Sequence, residues 1–464
     1  MSELAWLSLT GAAALIRERR LSPVEYTEAL FARADRIDPQ INAYLRVTRE
    51  TAIEEARHAE EEIIGGTYRG PMHGMPYGLK DIIDFAGVPT TAHSKLLADN
   101  VPDSDAGVTS LLKQAGGVML GKLATHEFAI GGPSFDLPWP PARNPWNRMH
   151  FTGGSSSGSG AAVAAGLMPM ALGTDTAGSI RNPASMCGVV GMKPTYGRVS
   201  RSGVIPLAFS LDTIGPLTRT VEDNAIALNL ISGHDRRDAA SIRGPRPDFT
   251  ADLRRGARGL RVGVIRHFYT RDMQADPEVE RGVEDAIGLF ESLGAQVREI
   301  ELRPLGMYSD CCRTIMISEA YSVHEHWLRE RPGDYGALAL QRLLPGAFIR
   351  AVDYVHATRL RARLIREFDE AMADLDVAVT VSSMDPPGEI GDPLAMERSY
   401  PRNARNVFNV IGSPALSLPV GFTESGLPLS MQIVAPAYQE ATIYRAAFAY
   451  EEVTDWTTRR PPVD

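Results

Sequence analysis

The stretch GTDTAGSIRNPA, residues 173–184, ends a run of small residues on a serine, with an arginine two positions later. The apolar LMPMAL before it has the length and bounds of a short strand. The chain then turns through Thr176, Ala177 and Gly178 to Ser179. Successive small residues let several backbone N–H groups converge on one point, as an oxyanion hole requires. A serine at the end of such a turn is placed to attack a carbonyl whose oxygen points into it. A helix cap or a tight loop reads the same string without chemistry.

A second turn lies upstream. GGSSSGSG, residues 153–160, runs straight into AAVAAG, a good helix former. A turn at a helix N-terminus presents backbone N–H groups outward. A phosphate loop would need G-x-x-x-x-G-K-[ST], and no such lysine follows. The string Gly154-Ser155-Ser156-Ser157-Gly158 matches a nucleophile elbow, but that elbow needs a strand just before it, and NPWNRMHFT does not read as one. A structural turn, and serines that serve a neighbouring nucleophile, both stay open.

A serine nucleophile needs a base. None of the 10 histidines falls in a recognisable triad context, and HEH at 324–326 lacks the spacing of a zinc helix. Ser110-Leu-Leu-Lys113 matches S-x-x-K, but it lies inside a helical pattern, DAGVTSLLKQAGG. The remaining candidate is Lys80 in GMPYGLKDIID, flanked by Leu79 and by Ile82-Ile83 on a strand-like run. Facing inward, it would be desolvated, its pKa lowered, and its neutral amine able to accept a proton. The same lysine could instead snorkel, or pair with Asp81 or Asp84.

Around these motifs the chain reads as mixed α/β. Ser22-Pro23 with Glu25 opens a helix that is expected to stop before Asp38-Pro39. RETAIEEARHAEEEIIGG is a second helix, closed by glycines. GLRVGVI, PEVERGVEDAIGLFESLG and AQVREIEL form a βαβ unit. DVAVTVS, PALSLPVGF and LSMQIVA read as strands before a closing helix, ATIYRAAFAYEEVT. With 464 residues, 44% of them hydrophobic, the chain can bury a large core. A net charge of −9 without a basic block argues against nucleic-acid binding. Three cysteines, with Cys311 and Cys312 adjacent, make no disulfide framework and fit a reducing cytoplasm. No signal peptide or transmembrane run is read, so no membrane association is expected.

Taken together, GLKD, GGSSSGSG and GTDTAGSIRNPA, followed by CGVVGMKPTYGRVS and LDTIGPLTR, closely resemble the amidase signature family. LTGAAALIRERRLSPVEYTEALFARADRIDPQINAY looks like its N-terminal helices, and FNVIGSPALSLPVGFTESGLPLSMQIVAP like its C-terminal strands. The resemblance implies one large α/β domain over residues 1–464, a central mixed sheet covered by helices on both faces. N-terminal helices would span 1–65, the signature core about 70–220, and a variable specificity segment about 300–400.

It further implies a Ser-Ser-Lys triad. Ser179 matches the nucleophile, Ser155 the bridging serine that follows a cis peptide bond, and Lys80 the base. Backbone N–H groups of Thr176, Ala177, Gly178 and Ser179 would form the oxyanion hole, with Asp175 and Arg181 holding the turn. Neither cofactor nor metal is implied. Two departures stand out. Ala177 replaces a glycine of many members, and alanine enters positive φ at a cost. The loop 129–140, AIGGPSFDLPWP, is apolar where amidotransferase-type members are polar. Ile130, Gly131, Phe135 and Trp139 are therefore expected to line a pocket for an apolar or aromatic substrate portion.

Three functions compete: a standalone hydrolase of small amides, including anilides, esters or carbamates; the glutaminase component of a tRNA-dependent amidotransferase; and a non-catalytic binding protein on the same fold. The expected partner is a small-molecule amide. A homodimer, frequent in the family, is an expectation the sequence does not decide.

Overall fold

Buried on both faces, the strands that carry the serine and lysine motifs sit inside the sheet rather than at its rim. The computed structural model describes residues 3–244 and 246–463; Met1, Ser2, Pro245 and Asp464, which belong to the full-length domain read above, lie outside the described residues. Among the described residues eleven strands form one mixed sheet. They are β1 (Tyr44–Val47), β2 (Pro76–Lys80), β3 (Val118–Leu123), β4 (Met170–Asp175), β5 (Val190–Lys193), β6 (Thr213–Thr218), β7 (Arg261–Val264), β8 (Gln296–Glu299), β9 (Val377–Val381), β10 (Ala415–Phe422) and β11 (Pro428–Val434). Their order is β1-β3-β2-β4-β6-β5-β10-β11-β9-β7-β8. Helices flank the sheet, among them Arg49–Ile64 against β3, Val221–Ile231 against β6 and Pro277–Ser292 against β11.

β2 pairs in parallel with both β3 and β4, so the three strands end on the same edge. Every residue of these strands is buried. Open α/β sheets place their sites outside such carboxyl ends. The βαβ unit is formed as read: β7 and β8 are parallel, joined by Pro277–Ser292, with Asp276 capping the helix through Glu278 N.

One boundary differs. Ser22 Oγ accepts from Val24 N and Glu25 N, as expected of the cap. The helix then runs from Pro23 to Ile41, through Pro39, and closes at Asn42 with φ 51°. A proline removes only its own N–H, and in a final turn that loss is small. Asp38 Oδ1 accepts from Ala43 N and Tyr44 N and turns the chain into β1.

Candidate active site

Lys80 ends β2 and is fully buried. Its Nζ stands 2.7 Å from Ser155 Oγ and donates to Thr174 Oγ1 at 2.7 Å. The neighbouring strand supplies a contrast. Lys122 of β3 is equally buried, but its Nζ lies 2.9 Å from Asp81 Oδ1. The carboxylate next to Lys80 in the chain is thus taken by another lysine. Among the described residues the Lys80 amine hydrogen-bonds only to hydroxyls. Burial pushes its pKa down to about 7, against the weaker pull of Asp212 and Asp175.

The two serine turns are locked together. The Gly154–Ser155 peptide is cis, as the resemblance implied. A Cβ on Gly154 would fall 2.0 Å from His126 Cε1, so only glycine fits there. His126 N donates to Ser155 O, and Ser156 N donates to Ser179 O at 3.2 Å. Ser156 Oγ bridges the main chain of Thr174, donating to its carbonyl and accepting from its N–H. Among the described residues no hydrogen bond joins the Ser155 and Ser179 hydroxyls. Ser179 is 8% exposed, against 0% for Lys80 and Ser155, so it is the member that meets solvent.

Asp175 shapes the turn that bears Ser179. It accepts from Gly178 N, Ile180 N and Arg181 Nε, and from Asn409 Nδ2. Burial alone would raise its pKa. The Arg181 guanidinium, Lys193 and Asn409 together outweigh burial and hold the carboxyl well below the usual range. Arg181 is itself fully buried, donating to Arg405 O, Gln432 Oε1 and Asn409 Oδ1.

The positive φ of the turn falls on Gly178, at 120°, and Ala177 is not among the positive-φ residues. The alanine departure therefore carries no backbone strain. The oxyanion expectation needs one correction. Gly178 N–H is committed to Asp175 Oδ1 at 2.8 Å. The N–H groups of Thr176, Ala177 and Ser179 have no hydrogen-bond partner among the described residues.

Thr174 and Asp212 were not singled out by the sequence, although both lie in quoted motifs. Asp212 accepts from Thr176 Oγ1 at 2.5 Å and stands half-buried within electrostatic reach of Lys80, its pKa raised to about 6 by desolvation. Thr174→Val removes the acceptor that orients Lys80. We expect kcat/KM to fall roughly 10- to 100-fold, the scale of one buried hydrogen bond. An unchanged kcat/KM in steady-state assays would assign Thr174 to packing alone.

A cleft of about 330 Å³ opens onto this edge, lined by Thr174, Thr176, Asp212, Ile82, Val204, Ile205 and Phe209 among others. Of the four expected pocket residues, none lines it. Phe135 is 57% exposed and lies under the Arg143 guanidinium. Trp139 packs edge-on against His93, and its carbonyl meets His93 Nε2. Ile130 and Gly131 are buried, and both carbonyls accept from Arg342 Nη1. The loop turns Leu137 inward, and its aromatic residues cover the surface rather than the cleft. Ala129, one residue earlier, does line the cleft.

The other sequence candidates are occupied elsewhere. Lys113 of the S-x-x-K string pairs with Asp105 and lies over the Phe85 ring. His324 hydrogen-bonds with the Tyr335 hydroxyl in the core. Among the described residues no group of three or more His, Cys, Asp or Glu side chains is arranged to hold a metal ion.

A family model described as Amidase matches residues 25–444. The A component of the glutamyl-tRNA(Gln) amidotransferase of Chloroflexus aggregans is 39% identical, covering 99% of this chain and 99% of its own. Among solved structures, a chain from a vestigial protein complex tied to the evolutionary origins of an s-triazine catabolic enzyme superposes with a TM-score of 0.91 at 30% identity, over 98% of this chain and 100% of that one. The native peptide amidase of Stenotrophomonas maltophilia gives 0.84 at 31% identity, over 98% of each.

Proposed function

The chain belongs to the amidase family and is an enzyme acting on amides, and from that premise we propose that it hydrolyses small carboxylic amides through an acyl-enzyme on Ser179. The observation that carries this reading is the buried Lys80 amine, without a carboxylate partner, 2.7 Å from Ser155 Oγ. Neutral Lys80 takes the Ser155 proton as Ser155 takes that of Ser179. Ser179 Oγ adds to the amide carbon, and the oxygen draws its charge against the N–H groups of Thr176, Ala177 and Ser179. The relay then returns the proton to the departing amine, which could not leave as an anion. Water, deprotonated by the same relay, hydrolyses the ester and frees Ser179.

One wall of the cleft, Ile82, Val204, Ile205 and Phe209, supports an apolar or aromatic substrate portion, while Arg201, Asp212, Arg237 and Asp238 line the rest of it with charge. We assign this cleft to the leaving amine. The reading takes the protein as cytoplasmic. All three cysteines are free, and among the described residues no helix is long and apolar enough to cross a membrane.

An uncharged fluorophosphonate should label Ser179, read by peptide mass, and the labelled enzyme should lose amide turnover. Labelling elsewhere, with turnover intact, overturns the assignment. A second reading, the glutaminase component of a tRNA-dependent amidotransferase, is favoured by the 39% identity to such a component over nearly the whole chain. Glutaminase activity and co-purification with partner chains would select it. A homodimer that cleaves free amides would select the first reading.

A further inference from the structure

Buried charge around the nucleophile turn does not balance. Asp175 is answered by Arg181, which lies against it with Nη2 at 3.1 Å from Oδ1. Arg405 is also buried, at 3% exposure, and among the described residues no carboxylate forms an ion pair with it, Asp175 acting on it only at a distance. Its Nη1 donates to Ser382 O and to Ser383 Oγ, both neutral. Its Nε has no hydrogen-bond partner among the described residues. That nitrogen faces the nucleophile turn: a Cβ built on Gly178 would fall 2.7 Å from it. A buried guanidinium without its own paired carboxylate is costly, and an orphan N–H adds to the cost. An arriving carboxylate would supply the missing acceptor in a charge-assisted hydrogen bond.

His126, 3% exposed, presses its ring on Gly154. Tyr400 lies close to both, with its ring 6.4 Å from that of His126 and its hydroxyl within electrostatic reach of Arg405. Gly154 and Gly178, the two glycines that precede the serines, are thus packed against His126 and Arg405. Arg405 reaches the turn from the segment between β9 and β10, whereas the cleft lies beside β2, β4 and β6.

We propose that Arg405 forms an anion subsite for the acyl half of the substrate, so that the favoured substrates are half-amides of dicarboxylic acids with an apolar amine. This rests on the acyl-serine reading above and adds the substrate class. The carboxylate completes the Arg405 guanidinium and fixes the scissile carbonyl over Ser179, while the amine half occupies the cleft along its apolar wall.

The test compares the half-anilides of malonic, succinic and glutaric acids with uncharged anilides of equal length, following aniline release. For the best acid, kcat/KM should exceed that of its uncharged partner by about 100-fold, the scale of a charge-assisted hydrogen bond. Arg405→Gln should remove the preference, and Arg405→Lys should retain part of it. Equal kcat/KM for acid and uncharged anilides in the wild type overturns the proposal without touching the role of Ser179. Calorimetric titration of succinate into Ser179→Ala enzyme supplies an independent reading that needs no turnover. Saturable binding that Arg405→Gln abolishes supports the subsite, and no binding overturns it. Failure of the acyl-serine reading would instead appear as an unlabelled Ser179.

Discussion

Ser179→Ala is expected to reduce amide turnover by on the order of 10⁴- to 10⁶-fold in kcat, with KM little changed, because the lost oxygen is the one that bonds to substrate. The substitution is also structurally quiet. Among the described residues the Ser179 side chain makes no hydrogen bond, and the turn is held by Asp175, Arg181 and Asn409. Thermal unfolding should therefore coincide with wild type, which separates chemical loss from misfolding. Residual activity above a tenth of wild type would show that another group attacks the amide. Ser155 would then be the first suspect, since it already holds the base.

Lys80→Ala should be comparably severe, about 10⁴-fold in kcat/KM, because both proton transfers pass through the amine. The pH dependence gives a sharper signature. Burial lowers the Lys80 pKa to about 7, and the catalytic form is the neutral one. In the wild type, kcat/KM should therefore climb as pH rises through about 7 and level off above it. Below that value the amine is protonated and cannot accept from Ser155. The residual activity of Lys80→Ala should lack this limb. Lys80→Arg should be as inactive as the alanine variant, since a guanidinium stays protonated across the range. A wild-type profile flat from pH 5 to 9 would remove Lys80 from the role of base.

The site was legible where local chemistry suffices. Leu79, Ile82 and Ile83 announce a buried strand end, and burial alone makes a lysine there a candidate base. The sequence could not decide whether Asp81 neutralises it. That depended on Lys122, which the parallel pairing of β2 with β3 brings to the same carboxylate. Asp175 and Arg181 were legible because they lie in one turn. Asn409 and Gln432 were not, because their contacts with Arg181 span 228 and 251 positions of chain. Gly178 looked like an oxyanion donor because the string hides that Asp175 folds back onto its N–H. The aromatic loop misled for a related reason. Phe135 and Trp139 satisfy the composition of a pocket wall, but only the packing of Leu137 decides which side of the loop faces in. In the N-terminal helix, Pro39 falls in the last turn, where its missing N–H costs little, so the helix runs through it to Ile41.

The knot that joins Arg181 to Asn409 and Gln432 has a bearing on biosynthesis. Lys80, Ser155 and Ser179 have all been translated before half the chain is made, yet the turn that bears Ser179 is finished by side chains near the carboxyl end. A chain truncated before β10 would hold Lys80, Ser155 and Ser179 yet lack the Gln432 acceptor of Arg181, so the turn is expected to take its final shape only once the last strands have been made.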